Sequence, residues 1–423
     1  METAMGISLC IHKSAEEIGG NCIEIKTSTG ERLLLDAGRP LDTPDGEQTP
    51  IPLSLNTETP VSGILLSHAH IDHSGLLENL PGHWPVYCGK ATERQLRLSA
   101  AVSGKNFSQP CHPWINGKAI RIGPFTVIPH LIDHSAFDAY ALQINVESKT
   151  LIYSGDFRVH GRKAKLTEAL MHNPPPRVDV LLLEGTNLRT SGLSSKATQS
   201  EALLEEEFTH LFVENAGRIF VSWAATNIDR VVTLYRACKK SERCLVVDLY
   251  SALVLMQLKE FADIPQPEWP DGNMRVVVTK KMMRLMDRLR ETGLIEYLKS
   301  HQVAMSARKL VENPHKWVIM VRNSMVEDYS KKGVVPTEDD TWVWSMWNGY
   351  LEQDSSRLMR DFFAPCKKTY IHSSGHASPE MLVRFAEAMQ PATLIPVHGE
   401  AWQEHKEKFP NVRIVQNGEW ITI

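Results

Sequence analysis

The chain has 423 residues, of which 42% are hydrophobic and 23% are charged. This composition excludes a globally disordered, collagen-like or coiled-coil protein, and the length is sufficient for two or three domains. The 46 basic residues against 50 acidic ones give a formal net charge of −4, so a polyanionic partner would need a local basic surface. The net charge neither predicts nor excludes nucleic acid.

The beginning of the chain and its cysteines bear on the cellular compartment. The first residues lack the basic segment and the apolar run of a targeting signal, and no stretch approaches the roughly 18 apolar residues of a membrane span. The seven cysteines are scattered and form no C-x-x-C pair. We therefore expect a cytoplasmic protein in reducing surroundings, with no membrane partner.

The pattern of apolar residues changes twice along the chain. Residues 8–185 contain short β-branched runs separated by turns, which predicts the strands of a sheet system. Residues 198–345 alternate helix and strand patterns, as is typical of a parallel α/β domain, and strand patterns return after about residue 360. We therefore predict one domain, over 1–190 and 351–423, that is interrupted by a second domain over 191–350.

A histidine-rich motif follows the apolar run at residues 63–66. It places His68, His70, Asp72 and His73 before and within the start of a predicted helix. Imidazole and carboxylate groups are the ligands of hydrolytic Zn²⁺ and Mn²⁺ sites, and a tight turn after a strand can direct side chains to two metals. Because such a cluster is rare by chance, we predict a metal site in preference to a solvated histidine-rich loop.

Three later polar residues also follow strand-like runs. His134 follows the strand-like residues 127–132, and Asp156 and His398 also follow short apolar runs. A single histidine at a strand end is more often a hydrogen-bonded surface residue. Two metals need more ligands than the first motif supplies, however, and these residues complete the set. We predict two divalent cations, with Zn²⁺ as the first choice and Mn²⁺ as the alternative.

The order of these motifs resembles the metallo-β-lactamase fold, in which Asp36 of the segment Leu-Leu-Leu-Asp-Ala-Gly matches the first motif. The chain is similar in particular to the β-CASP branch, whose additional motifs match Glu184, His376 in Ser-Gly-His-Ala, and His398. Within that branch it is most similar to ribonuclease J. The resemblance implies an α/β protein: an αββα sandwich interrupted by an inserted α/β β-CASP domain.

Two features depart from ribonuclease J. Glu184 stands where that family usually has aspartate. The chain ends at Ile423, without the small C-terminal domain that helps ribonuclease J to dimerise. We therefore do not expect dimerisation by that route, and the oligomeric state stays open.

The resemblance also implies a role for each residue of the site. The metal ligands would form two sets that are bridged by Asp156, namely His68, His70 and His134, and Asp72, His73 and His398. A hydroxide bridged by the metals would attack the phosphodiester. Asp36 and Glu184 would accept hydrogen bonds from ligand imidazoles and metal-bound water. The implied catalytic residues are Asp36, Asp72, Glu184 and His376.

The segment around His376 is predicted to bind phosphate. His376 would bind the scissile phosphate and protonate the leaving 3′-oxygen, which suits a group that titrates near neutrality. The alternative for His376 is a structural histidine at a helix start. Ser374 and Ser378 could bind phosphate at the opening of the following helix, where backbone N–H groups favour anions. For Ser378, an N-cap role is an equal alternative.

The interruption after Thr186 predicts a large substrate, because small-molecule hydrolases of this fold carry no such insertion between their metal motifs. In β-CASP proteins, histidine at the terminal motif accompanies RNA cleavage, so His398 favours RNA. We therefore predict a ribonuclease that cuts single-stranded RNA as an endonuclease, a 5′→3′ exonuclease or both. The alternatives are a DNA nuclease of the same superfamily, a catalytically silent RNA-binding protein and a small-molecule phosphodiesterase or lactonase.

Three tryptophans lie near the end of the predicted insertion. Trp342, Trp344 and Trp347 could stack nucleobases. Packing in a core is the interpretation that we favour for them.

Overall fold

The computed structural model describes residues 6–44, 46–189, 199–289 and 292–423. Its contacts divide the chain into two compact units. The first unit comprises Met1–Ser195 together with Gly375–Ile423, and the second comprises Lys196–Ser374. A single stretch of chain therefore interrupts the first unit.

The described residues form strands and helices in both units. The strands are β1 (Ser8–Lys13), β2 (Cys22–Lys26), β3 (Arg32–Leu35), β4 (Gly63–Leu65), β5 (Val86–Gly89), β6 (Cys111–Trp114), β7 (Ile120–Ile122), β8 (Phe125–Ile132), β9 (Ala139–Val146), β10 (Lys149–Tyr153), β11 (Val180–Leu183), β12 (Ile219–Ser222), β13 (Cys244–Asp248), β14 (Met274–Val277), β15 (Ala304–Met305), β16 (Trp317–Met320), β17 (Thr341–Trp344), β18 (Lys367–Tyr370), β19 (Thr393–Pro396) and β20 (Trp420–Thr422). The α-helices are α1 (Ile71–Ser74), α2 (Lys90–Ser103), α3 (Ala164–His172), α4 (Glu201–Glu214), α5 (Ile228–Lys240), α6 (Leu249–Leu258), α7 (Lys280–Leu289), α8 (Thr292–Ser300), α9 (Asn323–Lys331), α10 (Asn348–Glu352), α11 (Arg357–Phe362), α12 (Pro379–Met389) and α13 (Trp402–His405). Among these helices, none has the length and the apolar character that crossing a membrane requires.

Two sheets pack against each other in the first unit. One has the strand order β20-β1-β2-β3-β4-β5-β6, and the other has the order β19-β11-β10-β9-β8-β7. Successive side chains of a strand point to opposite faces. Accordingly, Leu33 and Leu35 lie in the core shared by the two sheets, while Leu34 packs in a separate cluster with Leu96 of α2.

The other sheet follows the same alternation. Leu182 faces the shared core, whereas Leu181 and Leu183 pack in an outer cluster with Phe385 of α12. Helices therefore cover the outer face of each sheet, and the layers run helix, sheet, sheet, helix. This arrangement confirms the predicted αββα sandwich.

The shared core is expected to supply much of the stability of the first unit. Leu142 of β9 is fully buried there, so Leu142→Ala should lower the free energy of unfolding by about 2–5 kcal/mol through lost burial and a residual cavity. Leu53 is fully exposed, and Leu53→Ala should change stability by less than about 0.5 kcal/mol. Urea unfolding followed by circular dichroism measures both changes. Equal losses in the two variants would contradict this assignment of the core.

The second unit contains a seven-stranded sheet in the order β15-β14-β13-β16-β12-β17-β18. All of its strand pairs are parallel, as the alternating helix and strand patterns predict. Its core includes Phe220, Ile319 and Trp342, which pack with Tyr329 of α9. Parallel strands buried on both faces explain the continuous apolar runs of this region.

The end of the second unit differs from the boundary predicted at residue 350. The apolar pattern near residues 369–371 was assigned to the first domain, but β18 pairs in parallel with β17, so the unit extends to Ser374. Its beginning at Lys196 lies close to the predicted 191. A short apolar run predicts a strand without indicating which of two sheets it joins, and this ambiguity explains the difference.

Candidate metal centre

The predicted metal ligands come from the ends of separate strands of the first unit. His68 and His70 follow β4, Asp72 and His73 lie in α1, and the remaining three residues follow β8, β10 and β19. The structure brings all seven together in two groups whose possible ligand atoms lie within 4.8 Å of one another. These groups are His68, His70 and His134, and Asp72, His73, Asp156 and His398.

Three imidazoles converge in the first group. Nδ1 of His70 lies 3.1 Å from Nε2 of His68 and 3.1 Å from Nε2 of His134. Nδ1 of His134 donates to the carbonyl of Gly375 at 2.6 Å, which leaves the Nε2 lone pair available. Burial lowers the pKa of all three imidazoles, to about 4 for His70, so they are neutral near pH 7. Three neutral nitrogens facing one another are a donor set that a divalent cation fits.

Orphaned polar atoms mark the second group. Within the part of the chain that the structure describes, Nε2 of His398 and Oδ1 of Asp156 are buried without a hydrogen-bond partner. Nε2 of His398 lies 3.7 Å from Oδ2 of Asp156 and 3.8 Å from Oδ2 of Asp72. Buried polar atoms without partners are costly, and a cation between these groups would satisfy them. The residues present therefore fit a second divalent cation.

Asp156 lies between the two groups. Its Oδ2 is 3.0 Å from Nε2 of His73 and 3.7 Å from Nε2 of His68. Burial alone would raise the pKa of this carboxyl, but the charges of His398, His73 and His376 hold it well below its usual range. Asp156 is therefore a carboxylate, and its position is compatible with the bridging role that the resemblance implies.

Asp36 makes hydrogen bonds that orient an imidazole in each ligand group. It is fully buried at a positive φ of 56°, and its carboxylate accepts hydrogen bonds from Nδ1 of His73 at 2.7 Å and from the hydroxyl of Tyr153 at 2.6 Å. It also accepts from the hydroxyl of Ser67 at 2.8 Å, and that hydroxyl oxygen lies 3.0 Å from Nδ1 of His68. These contacts hold one imidazole of each group with Nε2 directed away from Asp36.

Replacement of Asp36 is expected to weaken metal binding. Asp36→Asn keeps the size of the side chain but replaces one accepting oxygen with an N–H donor, so we expect the affinity for the metals to fall by about 10- to 100-fold. Competition with a chromophoric chelator measures this affinity. Asp179→Asn, at a buried aspartate that binds the Thr150 N–H and Arg177, is the matched control. Equal affinity in wild type and Asp36→Asn would remove Asp36 from the supporting role.

Glu184 and His376 form a pair beside Asp156. Oε2 of Glu184 lies 3.1 Å from Nδ1 of His376, and Oε1 accepts the N–H of Phe157 at 3.1 Å. Burial disfavours the imidazolium, but the charges of Glu184 and Asp156 outweigh burial and raise the pKa of His376 to about 9. Glu184 was predicted to accept hydrogen bonds from ligand imidazoles and metal-bound water. The imidazole that it contacts is that of His376, which lies 3.7 Å from Asp156. Its contact with metal-bound water stays a prediction.

Phosphate binding by the two serines stays a prediction. The hydroxyl of Ser378 accepts the N–H of Met381 at 3.3 Å, so Ser378 is the N-cap of α12. The capping alternative is therefore present in the structure, and the O–H of Ser378 can still donate to a phosphate. Ser374 is the last residue of the second unit, and its phosphate contact stays a prediction.

Comparison with known families identifies the fold to which this site belongs. Residues 31–228 match the family described as a beta-lactamase superfamily domain, and residues 365–411 match a Zn-dependent metallo-hydrolase RNA specificity domain. Over these residues the chain is similar to the metallo-β-lactamase superfamily. Its two candidate ligand groups lie at strand ends of the αββα sandwich.

Curated proteins and a solved structure are similar to most of this chain. The chain is 23% identical to ribonuclease J of Sinorhizobium meliloti over 86% of its own length and 26% identical to ribonuclease J of Helicobacter pylori strain 26695 over 91%. It spans 63% and 55% of the lengths of these relatives. A crystal structure of a protein of unknown function from Enterococcus faecalis matches 99% of this chain and 100% of its own, with a TM-score of 0.77 and 21% identity. The fold of the whole chain is therefore shared with a solved structure.

Asn21 contacts the second ligand group, and the sequence analysis did not identify it. It is fully buried, its Oδ1 accepts from Nδ1 of His398 at 2.8 Å, and its Nδ2 donates to the hydroxyl of Tyr153 at 3.0 Å. The same Nδ2 lies 3.2 Å from Nδ1 of His73. The one local signal was its place after Gly19-Gly20 and before β2, which is also typical of an ordinary turn.

These contacts predict a selective effect on the second ligand group. Asn21→Ala removes the acceptor that orients His398, so we expect one of the two metals to bind about tenfold more weakly or worse, while the other is retained. Chelator competition that resolves two classes of site measures this difference. Equal weakening of both classes would show that Asn21 acts on the fold and not on one group.

Proposed function

We propose that this protein is a two-metal ribonuclease that hydrolyses phosphodiester bonds in single-stranded RNA. The observation that carries the proposal is the position of the Asp156 carboxylate between two complete ligand groups in a metallo-β-lactamase fold. The match to an RNA specificity domain and the likeness to proteins named ribonuclease J support RNA as the substrate.

Each ligand group has a separate task in this proposal. The first group would hold one cation and the second group the other, with Asp156 contacting both. When bound, the two cations lower the pKa of a water molecule between them and stabilise the charge that develops on the phosphate. The protein supplies the fixed geometry, since Asp36, Ser67 and Asn21 hold the ligand imidazoles in the orientation that leaves Nε2 for a metal.

His376 supplies the proton in this proposal. Its raised pKa makes it an imidazolium at neutral pH, which attracts a phosphate oxygen. Because Nδ1 is engaged by Glu184, the Nε2 proton is the one offered to the leaving 3′-oxygen. Glu184 thus keeps His376 charged and oriented. Exposure of about a fifth of the His376 side chain allows a substrate to reach it.

The proposal is tested with matched RNA and DNA oligonucleotides that carry a label at the 5′ end. We expect the protein loaded with Zn²⁺ or Mn²⁺ to cleave the RNA faster than the DNA, and we expect Asp156→Ala to cleave neither. Asp179→Ala, at a buried aspartate outside the metal groups, is the matched control that should retain activity. Release of the label as a mononucleotide would indicate a 5′→3′ exonuclease, and retention on a fragment an endonuclease.

Two results would overturn the proposal. Faster cleavage of the DNA than of the RNA would make the protein a DNA nuclease of the same superfamily. Full metal loading without cleavage of either polymer would move the assignment to a binding protein or to a small-molecule hydrolase, which turnover of short model esters would identify.

A further inference from the structure

The second unit presents a tryptophan to solvent that its core does not explain. Trp347 is 47% exposed, whereas Trp342 and Trp344 of β17 are buried in the unit's core. All strand pairs of this sheet are parallel, so their carboxyl ends lie along one edge, and Trp347 follows the carboxyl end of β17. Open α/β sheets bind their ligands outside that edge.

The ring of Trp347 is held in place by its neighbours. Nε1 of the buried Trp344 donates to the carbonyl of Trp347 at 3.2 Å, which anchors the backbone to the core. A Cβ at position 349 would overlap the six-membered ring of Trp347, so the ring lies directly against Gly349. The ring of Tyr350 meets it edge-on, with centroids 5.3 Å apart and planes at 90°. The indole is therefore exposed and rigid at the same time.

Hydrogen bonds also fix the segment that follows. The hydroxyl of Ser356 donates to the carbonyl of Tyr350 at 2.6 Å, and Nη1 of Arg360 donates to the carbonyl of Gln353 at 2.9 Å. The guanidinium of Arg360 is thereby fixed to the segment that follows Trp347. An exposed aromatic ring matches the flat face of a nucleobase.

We propose that Trp347, backed by Gly349 and Tyr350, is a stacking platform for an unpaired nucleobase of single-stranded RNA. The inference rests on the proposed function and adds a contact in the second unit. An unpaired base offers a flat π-face whatever its identity, so the platform gives affinity without sequence preference. A fixed ring loses little conformational freedom when a base stacks on it.

The test measures binding of the metal-loaded protein to a labelled 2′-O-methyl oligoribonucleotide by fluorescence anisotropy, and to the same oligonucleotide with abasic sites. Trp347→Ala should weaken binding of the intact oligonucleotide by about 5- to 150-fold, and Trp347→Phe should weaken it less. Gly349→Ala should resemble Trp347→Ala, because the new methyl group displaces the ring. Trp420→Ala removes a tryptophan of similar exposure from the first unit and should bind as wild type.

The abasic oligonucleotide separates stacking from other effects. If bases stack on Trp347, Trp347→Ala should cause little further loss with the abasic chain. Wild-type RNA affinity in Trp347→Ala would overturn the platform, and so would an equal loss of affinity for both oligonucleotides. A change in oligomeric state without a change in RNA affinity would make this surface a protein interface. RNA cleavage by wild type together with normal binding by Trp347→Ala would refute the platform alone. Binding that depends on Trp347 without cleavage would refute the proposed ribonuclease activity alone.

Discussion

Asp156→Ala is expected to lower the rate of RNA cleavage by about a thousandfold or more, because charge stabilisation by a bound metal contributes several kcal/mol to the transition state. Oδ2 of Asp156 lies within 3.7 Å of an imidazole nitrogen from each ligand group. Its removal also takes away one of the negative charges that the buried rings of His73 and His398 face. The metal content and the cleavage rate should therefore fall together.

Asp156→Asn separates charge from size in the same experiment. The amide has nearly the volume of the carboxylate but only one oxygen to offer as a ligand. We expect the thermal stability of Asp156→Asn to stay near that of wild type in the presence of chelator, while metal content and cleavage fall as in Asp156→Ala. Near-wild-type cleavage in either variant would falsify the bridging assignment.

His376→Ala is expected to lower turnover by about 10²- to 10⁴-fold while both metals are retained, since the loss is that of a general acid. Nδ1 of His376 lies 3.1 Å from Oε2 of Glu184 and 3.7 Å from Oδ2 of Asp156. Metal content, kcat and KM should be measured on the same preparation. A fall in kcat with unchanged metal content is the predicted result.

Glu184→Gln is the companion variant for His376. The amide keeps a hydrogen bond to the imidazole but removes the charge that raises its pKa. We therefore expect the alkaline limb of the pH–rate profile to shift towards lower pH, because the acid form of His376 is then lost at a lower pH. If His376→Ala instead releases a metal, His376 is a ligand and the proton-donor assignment is wrong.

The convergence of the candidate metal ligands could be predicted from the sequence because they follow apolar strand runs. The polar residues after β4, β8, β10 and β19 had to lie at strand ends, and their identities match the chemistry of a divalent cation. The alternating helix and strand patterns predicted the parallel sheet, and the resemblance to the metallo-β-lactamase fold implied the sandwich. Local pattern and local chemistry coincide at these positions, so the prediction did not depend on distant contacts.

Asn21 could not be predicted because its role depends on contacts that are remote in sequence. Its partners His73, Tyr153 and His398 lie 52, 132 and 377 residues away. The same limit explains why the contact between Glu184 and His376 was not predicted and why the apolar run at β18 was assigned to the first domain. The burial of the tryptophans near β17 could not be predicted either, since Trp342 and Trp344 are buried and Trp347 is exposed.

The most direct test of the two-metal centre is a titration of the metal-free protein with Zn²⁺, and in parallel with Mn²⁺, that records metal content and RNA cleavage at each step. We expect saturation at two equivalents per chain and cleavage that rises only as the second equivalent binds. Full cleavage at one equivalent or with no bound metal would contradict the proposed centre.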